Sequence, residues 1–262
     1  MTKFRWTAAA VALTSLVAAS PGWARTINLT TLNWSPYYGE NLDDGGPVTA
    51  IAKAAAKEAG HTLEMSWMPW KRALEMAKRG RRDGLLGAYY NKERDKAFHF
   101  TIPMYSVTGS FIAKKSFERD SYESLKDLKG YSMGFLRGGE FPDKFDSADY
   151  LDKRPGKNEA NMRKLVNGRI DLAAMANTVF FDLLKRKTDE SAGDYKALQP
   201  PLWNKNLYIT ISKEVDNGEQ IAADLNEGLR AIIENGTYAE IVESYGLKAK
   251  PEALADTSPD SM

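Results

Sequence analysis

The feature that most constrains this chain is an alternation of β-type and α-type hydrophobic patterns that runs through residues 26–89 and returns in the middle of the sequence. Residues 26–34 read as a strand with Ile27 and Leu29 on one face, ending in the turn-forming aromatic stretch Ser35-Pro36-Tyr37-Tyr38-Gly39. Beyond the loop Asp43-Asp44-Gly45-Gly46, the residues Val48, Ile51, Ala52, Ala55 and Ala59 recur at helical spacing, and Gly60 supplies a stop. Residues 62–67 form a second predicted strand. Trp70, Ala73, Leu74 and Ala77 mark a second amphipathic helix that Gly80 ends, and residues 84–89 read as a third strand. Strand, helix, strand, helix, strand predicts a parallel sheet covered by helices, because parallel neighbours need a crossover that packs on a face of the sheet.

The scheme repeats. Residues 131–136 read as a strand running into Arg137-Gly138-Gly139, and Met162, Leu165 and Val166 lie on a helix that Gly168 caps. Residues 170–175 are again strand-like, with Phe180, Phe181 and Leu184 on the helix after it. Two such units, each with its own sheet, predict two lobes, and the β-like stretches 106–113 and 207–212 are placed to cross between them and back. The expected division is 25–112 for the first segment of lobe 1, 113–207 for lobe 2, 208–248 for the return to lobe 1, and 249–262 for a flexible tail. Two helical patterns fill the return, one on Ile221, Leu225, Leu229 and Ile232, the other on Tyr238, Ile241, Val242 and Tyr245.

Lys3 and Arg5 precede an apolar run of 12 residues, 8–19, and then Pro21-Gly22-Trp23-Ala24. This is the layout of a secretory signal, 1–24, with cleavage after Ala24 and a periplasmic product; the run is short of the roughly 20 residues a membrane span needs. Charge excludes a polyanionic partner, since 36 Lys plus Arg face 35 Asp plus Glu. With no cysteine and two histidines, His61 and His99, no disulfide, N-terminal lipid anchor, metal site or cofactor is expected.

Several stretches, in order, resemble the family 3 extracellular solute-binding proteins. They are Trp34-Ser35-Pro36-Tyr37-Tyr38, Asp83-Gly84-Leu85-Leu86-Gly87-Ala88, Glu93-Arg94 followed by Phe98-His99-Phe100-Thr101 and Pro103-Met104-Tyr105, then Leu125-Lys126-Asp127-Leu128-Lys129-Gly130, Met133-Gly134-Phe135, Gly168-Arg169-Ile170-Asp171, and Asn235-Gly236-Thr237-Tyr238. The resemblance implies an α/β protein of the type II periplasmic binding fold, two α/β lobes joined by two crossover strands with the ligand cleft between them. It also implies a monomer that closes on a small, amino-acid-like molecule by hinge bending and hands it to an inner-membrane ABC permease or a membrane sensor.

Within that pattern Arg94 aligns with the arginine that forks onto the ligand carboxylate in amino-acid-binding relatives, two parallel bonds a lysine cannot reproduce. Trp34, Tyr37 and Tyr38 sit after the first strand, on the edge where parallel sheets place ligands, and one or more of them covers the ligand or packs the lobe. Tyr89 stands where relatives present backbone groups and a small hydroxyl. Trp70 fits the apolar stripe with Ala73 and Leu74 and is assigned to packing, Arg72 to solvent, and Asp171 to a structural or surface role. Lobe 2 departs from the pattern. Arg137-Gly138-Gly139-Glu140 replaces a loop with Ser or Thr after the glycine, making Arg137 a second candidate cation unless it pairs with Glu140 or stays exposed. Met175-Ala176-Asn177 replaces an aspartate for the ligand ammonium; Asn177 is a ligand acceptor or a helix N-cap. An α-amino acid then needs Glu140 as its countercharge, since an unpaired ammonium in a closed cleft is costly.

A catalytic reading, a dehydratase or lyase using Glu140, has one carboxylate and no visible partner for it. Hydrolase motifs such as Gly-x-Ser-x-Gly and His-Glu-x-x-His are absent from the sequence. No catalytic residue is assigned, and a sensory module remains the rival to transport. Expression with export should give a mature chain beginning at Arg25; an intact mass that still includes residues 1–24 refutes the signal assignment.

Overall fold

The computed structural model describes residues 24–137 and 140–249. The expected signal segment up to residue 23 and the expected tail from residue 250 lie outside the described residues.

The chain opens with β1 (Thr26–Thr31), α1 (Pro47–Glu58), β2 (Thr62–Trp67), α2 (Trp70–Lys78) and β3 (Gly84–Ala88), the alternation its hydrophobic periods predict. β1 stops before the predicted residue 34 because Trp34 turns to donate its N–H to Tyr38 O at 2.7 Å, closing the aromatic turn on itself. Pro47 begins α1, where a missing N–H costs nothing, and Val48, Ile51, Ala52 and Ala55 are buried along one face. β2 and β3 flank β1 in parallel, Ile27 facing Leu63 and Thr30 facing Leu85.

Next come α3 (Lys92–Asp95), β4 (Phe98–Phe100), β5 (Tyr105–Lys114), β6 (Ser132–Leu136), α4 (Asp143–Asp146), β7 (Asp152–Gly156), α5 (Asn158–Val166), β8 (Leu172–Ala176), α6 (Asn177–Lys187), β9 (Tyr195–Ala197) and β10 (Trp203–Ser212), followed by α7 (Gly218–Glu234) and α8 (Thr237–Ser244). β6, β7 and β8 form a second parallel set, with β6 between the other two. β7 has no counterpart in the sequence reading: Asp-Lys-Arg-Pro-Gly carries no hydrophobic alternation and survives as a sheet edge, where charge and proline are tolerated.

The two sets meet through the long strands. β5 pairs antiparallel with β8 over Gly109–Ile112 and with β10 over Tyr105–Gly109. β10 pairs with β5 from Trp203 to Leu207, then with β3 and β4 from Tyr208 to Ser212. The strand order β2-β1-β3-β10-β5-β8-β6-β7 is therefore continuous although the sheet serves two helical layers. α1, α7 and α8 pack together over the first set, and α5 and α6 over the second. A buried apolar cluster extends from Ile27 and Ile51 through Met104, Val107 and Leu207 to Met162 and Phe180, so the core itself passes along the crossover strands.

α1 and α7 approach closely at Gly228, where a Cβ would fall on the backbone carbonyl oxygen of Ala55. In an open helix Gly→Ala stabilises by about 1 kcal/mol. Here the overlap is with backbone, which cannot rotate away, and overpacking costs about 1–3 kcal/mol. Gly228→Ala should therefore lower the urea midpoint; a raised midpoint would show that the helices part without cost.

Candidate functional site

Arg94 is held from both ends of its residue. Its N–H is received by Asn91 Oδ1 at 2.8 Å, which caps the short α3 just beyond β3, and its Nη1 donates to Tyr89 O at 2.7 Å. The guanidinium carbon lies 5.3 Å from the centre of the Trp70 ring, and Nη2 stands 3.5 Å from Glu140 Oε2, which comes from the loop after β6. At 3.5 Å this is an ion pair without a good hydrogen bond. The side chain is only 14% exposed, and burial pulls the arginine pKa down while Glu140 works against that shift. A desolvated cation thus joins the two halves of the molecule across the gap between them.

Around it stand aromatic walls. The Trp34 ring lies 4.8 Å from Tyr37, 5.7 Å from Tyr38 and 6.2 Å from Tyr89, with Tyr89 nearly perpendicular to it. Tyr38 is buried against Gly87, where φ is +75° and any Cβ would collide with the phenol ring; glycine serves both needs at once. Burial raises the pKa of Tyr38 and of Tyr89 well above the ordinary phenol range, so both stay neutral donors. Lys205, on β10, places Nζ 5.3 Å over the Tyr89 ring, 3.1 Å from Glu140 O and 3.5 Å from Glu140 Oε1.

These groups enclose a cleft of about 340 Å³ lined by Trp34, Tyr38, Trp70, Tyr89, Arg94, Glu140 and Asn158, with Leu32, Gly87 and Leu136. A recess of about 70 Å³ shares Trp34, Tyr89, Leu136, Glu140 and Asn158 with it and reaches Trp203, whose ring lies where Gly109 has no Cβ. Small-molecule sites commonly measure about 300–1,000 Å³, with apolar walls and few polar groups.

Five of the eight sequence candidates, Trp34, Tyr38, Tyr89, Arg94 and Glu140, line this cleft. Tyr37 and Asn177 do not. They line a separate cavity of about 490 Å³ together with Ser106, Thr108, Thr178 and Tyr238. Asn177 is not the N-cap either: it is the first residue of α6, Ala176 occupies the cap without a side-chain bond, and Asn177 Oδ1 is buried with no partner among the described residues. Arg137 is exposed and lines neither cavity. Trp70 lies in the cleft as well as against the small core around Ala73 and Phe98, so packing was half of its role. Arg72 is exposed, and Asp171 receives the N–H and hydroxyl of Ser132 at 2.7 Å each, a structural role. Asn158 and Lys205 were not singled out. Asn158 follows the illegible strand β7, and Lys205 sits in an Asn-Lys-Asn run that reads as exposed turn.

The fold has many parallels among solved structures. An amino acid ABC transporter substrate-binding protein from Streptococcus pneumoniae bound to L-arginine superposes with a TM-score of 0.65 at 20% identity, covering 88% of this chain and 97% of the other. A mutant of an arginine-binding protein, ArgBP, from T. maritima gives 0.65 at 17% identity, covering 84% and 95%. A histidine kinase sensor domain with similarity to periplasmic binding proteins gives 0.67 at 20% identity, covering 86% and 99%. At these identities the likeness establishes the type II periplasmic binding fold, two α/β lobes with a cleft between them. No curated protein matches the chain in sequence. The profile of one family does, over residues 33–248, from the aromatic turn after β1 to the residues beyond α8, and the chain therefore belongs to the bacterial extracellular solute-binding proteins, family 3.

Proposed function

We propose that this protein captures a small, polar, carboxylate-bearing molecule of amino-acid-like size in the cleft around Arg94, closes its lobes on it, and presents it to an ABC transporter from the periplasm. The observation that carries the reading is the buried Arg94 guanidinium, packed on Trp70 and facing Glu140 of the other lobe across an aromatic-walled cleft. A buried cation with a long, imperfect ion pair favours exchange for an anion that fits its fork. Closure would use β5 and β10, with lobe boundaries near residues 112 and 207 and a return through residues 208–248. We read the site as binding and not catalytic, because Glu140 faces two cations and offers no free acid–base pair. A sensory role on a membrane kinase is the second reading, favoured by the likeness to a histidine kinase sensor domain.

A thermal-shift screen of small acids and amino acids supplies the ligand, since saturation at a hundred times Kd adds about 2.7 kcal/mol of stability. With that ligand, Arg94→Ala should lose about 2–4 kcal/mol by calorimetry, because truncation strands the ligand's charge. This corresponds to a roughly 30-fold to 1,000-fold weaker Kd. Arg94→Lys should recover only part of it, as the ammonium lacks the fork. Unchanged affinity in Arg94→Ala rejects the assignment.

Lobe closure has its own measurement. Small-angle scattering should show a smaller radius of gyration at ligand saturation, and identical profiles with and without ligand reject the clamp.

A further inference from the structure

The charges gathered around Glu140 do not cancel once its neighbour Lys205, which stands behind the cleft lining, is counted. Among the described residues that line the cleft and its recess, Arg94 and Glu140 are the charged ones, and Lys205 reaches Glu140 from β10. Arg94 Nη2 and Lys205 Nζ each lie 3.5 Å from one oxygen of the same carboxylate, and their side chains are 14% and 21% exposed. Charge-assisted hydrogen bonds of this kind run at about 2.7–2.9 Å. The Glu140 carboxylate therefore stands between two partly desolvated cations with a close hydrogen bond to neither, Lys205 bonding instead to the Glu140 carbonyl at 3.1 Å, and the three groups together leave one positive charge in excess.

A second observation bears on the ligand's other end. Asn158, at the start of α5, lines both the cleft and the recess, and its Oδ1 is buried without a partner among the described residues. In either orientation the amide offers a neutral hydrogen-bonding group. It suits a hydroxyl or an amide and gives no countercharge to an ammonium. An ammonium would have to take Glu140 away from Arg94 and Lys205, and a zwitterion would leave the excess positive charge in place.

From this charge inventory and the unpartnered Asn158 we infer that the ligand is a monoanion, a hydroxy acid or similar neutral-substituted carboxylate and not a zwitterionic α-amino acid. The inference rests on the proposed capture of a solute in this cleft. Arg94 and Lys205 share the ligand carboxylate, Asn158 meets its hydroxyl, and Trp34 and Trp70 cover its apolar body. Glu140 is an internal place-holder that the ligand carboxylate displaces from between the two cations.

The sign of one substitution separates the alternatives. Calorimetry on the protein would compare a matched series of L-2-hydroxy acids and L-α-amino acids whose side chains run from methyl to benzyl, so that L-lactate meets L-alanine and L-phenyllactate meets L-phenylalanine. The best hydroxy acid should bind about tenfold or more tightly than its amino partner, a difference of about 1.4 kcal/mol. Glu140→Gln removes the competing carboxylate and should tighten hydroxy-acid binding by several-fold, whereas Lys205→Met should weaken it about tenfold or more, with thermal unfolding of each variant confirming that it is folded. Preference for the amino acids, or weaker hydroxy-acid binding in Glu140→Gln, overturns the monoanion and leaves solute capture standing. Binding of neither series overturns the hydroxy-acid ligand, while solute capture stands or falls by the thermal-shift screen.

Discussion

The rest of the structure depends on β10 changing partners without a break in its hydrogen bonding. Buried backbone groups must be paired, and this strand pairs with β5 as far as Leu207 and with β3 and β4 from Tyr208 onward. Thr101 reinforces the change of partner: its N–H and hydroxyl both donate to Ile209 O, and its oxygen receives the N–H of the same residue. The switch obliges two parallel sets of strands to share one sheet. It also sets where their loops meet, because the turns after β1 and β3 and the loop after β6 all open toward the same gap. Arg94 and Glu140 face each other for that reason, though one follows β3 of the first strand set and the other follows β6 of the second.

Electrostatics then shapes what lies in the gap. A guanidinium buried beside indole and phenol rings loses hydration that its surroundings must replace, and here the replacement is a carbonyl at 2.7 Å, a ring face and a distant carboxylate. The neutral phenols matter as much as the charge. An ordinary phenol is neutral at pH 7, and burial raises the pKa values of Tyr38 and Tyr89 further, so neither ring supplies an anion to compensate Arg94 even in alkaline solution.

The sequence carried most of the fold because hydrophobic period and glycine stops survive in it undisguised. β1, α1, β2, α2 and β3 were legible from Ile27 to Ala88, and the crossover strands from their β-like runs. What escaped were elements whose residues answer to neighbours far along the chain. β7 is held by its pairing with β6 and not by its own composition, and the position of Asn158 follows from it. Lys205 looks solvated in sequence, yet it lies over Tyr89 because β10 is pinned beside β5. Asn177 begins α6 directly after β8 and lines the cavity that holds Tyr37, a placement that its neighbours in the chain do not reveal. Tyr37 and Tyr38 are adjacent, but the closed turn at Trp34 sends them to different cavities.

That separation gives the two lobes contacts on either side of Trp34. Arg94 and Glu140 meet in the cleft, while Ser35 Oγ donates to Asp182 Oδ2 at 3.1 Å beside a different cavity that both residues line. Both contacts are weak by geometry, one a long ion pair and the other a single hydroxyl bond, so neither locks the lobes strongly. A ligand shifts such a balance only by the difference in its contacts between the two arrangements. In the proposed function those contacts are made where Glu140 now stands. The free energy available for closure is then the gain of a well-fitted carboxylate over a poorly fitted one already in place. A protein built this way gives up affinity to its own side chain, and in return the buried arginine never faces an empty cleft without a countercharge.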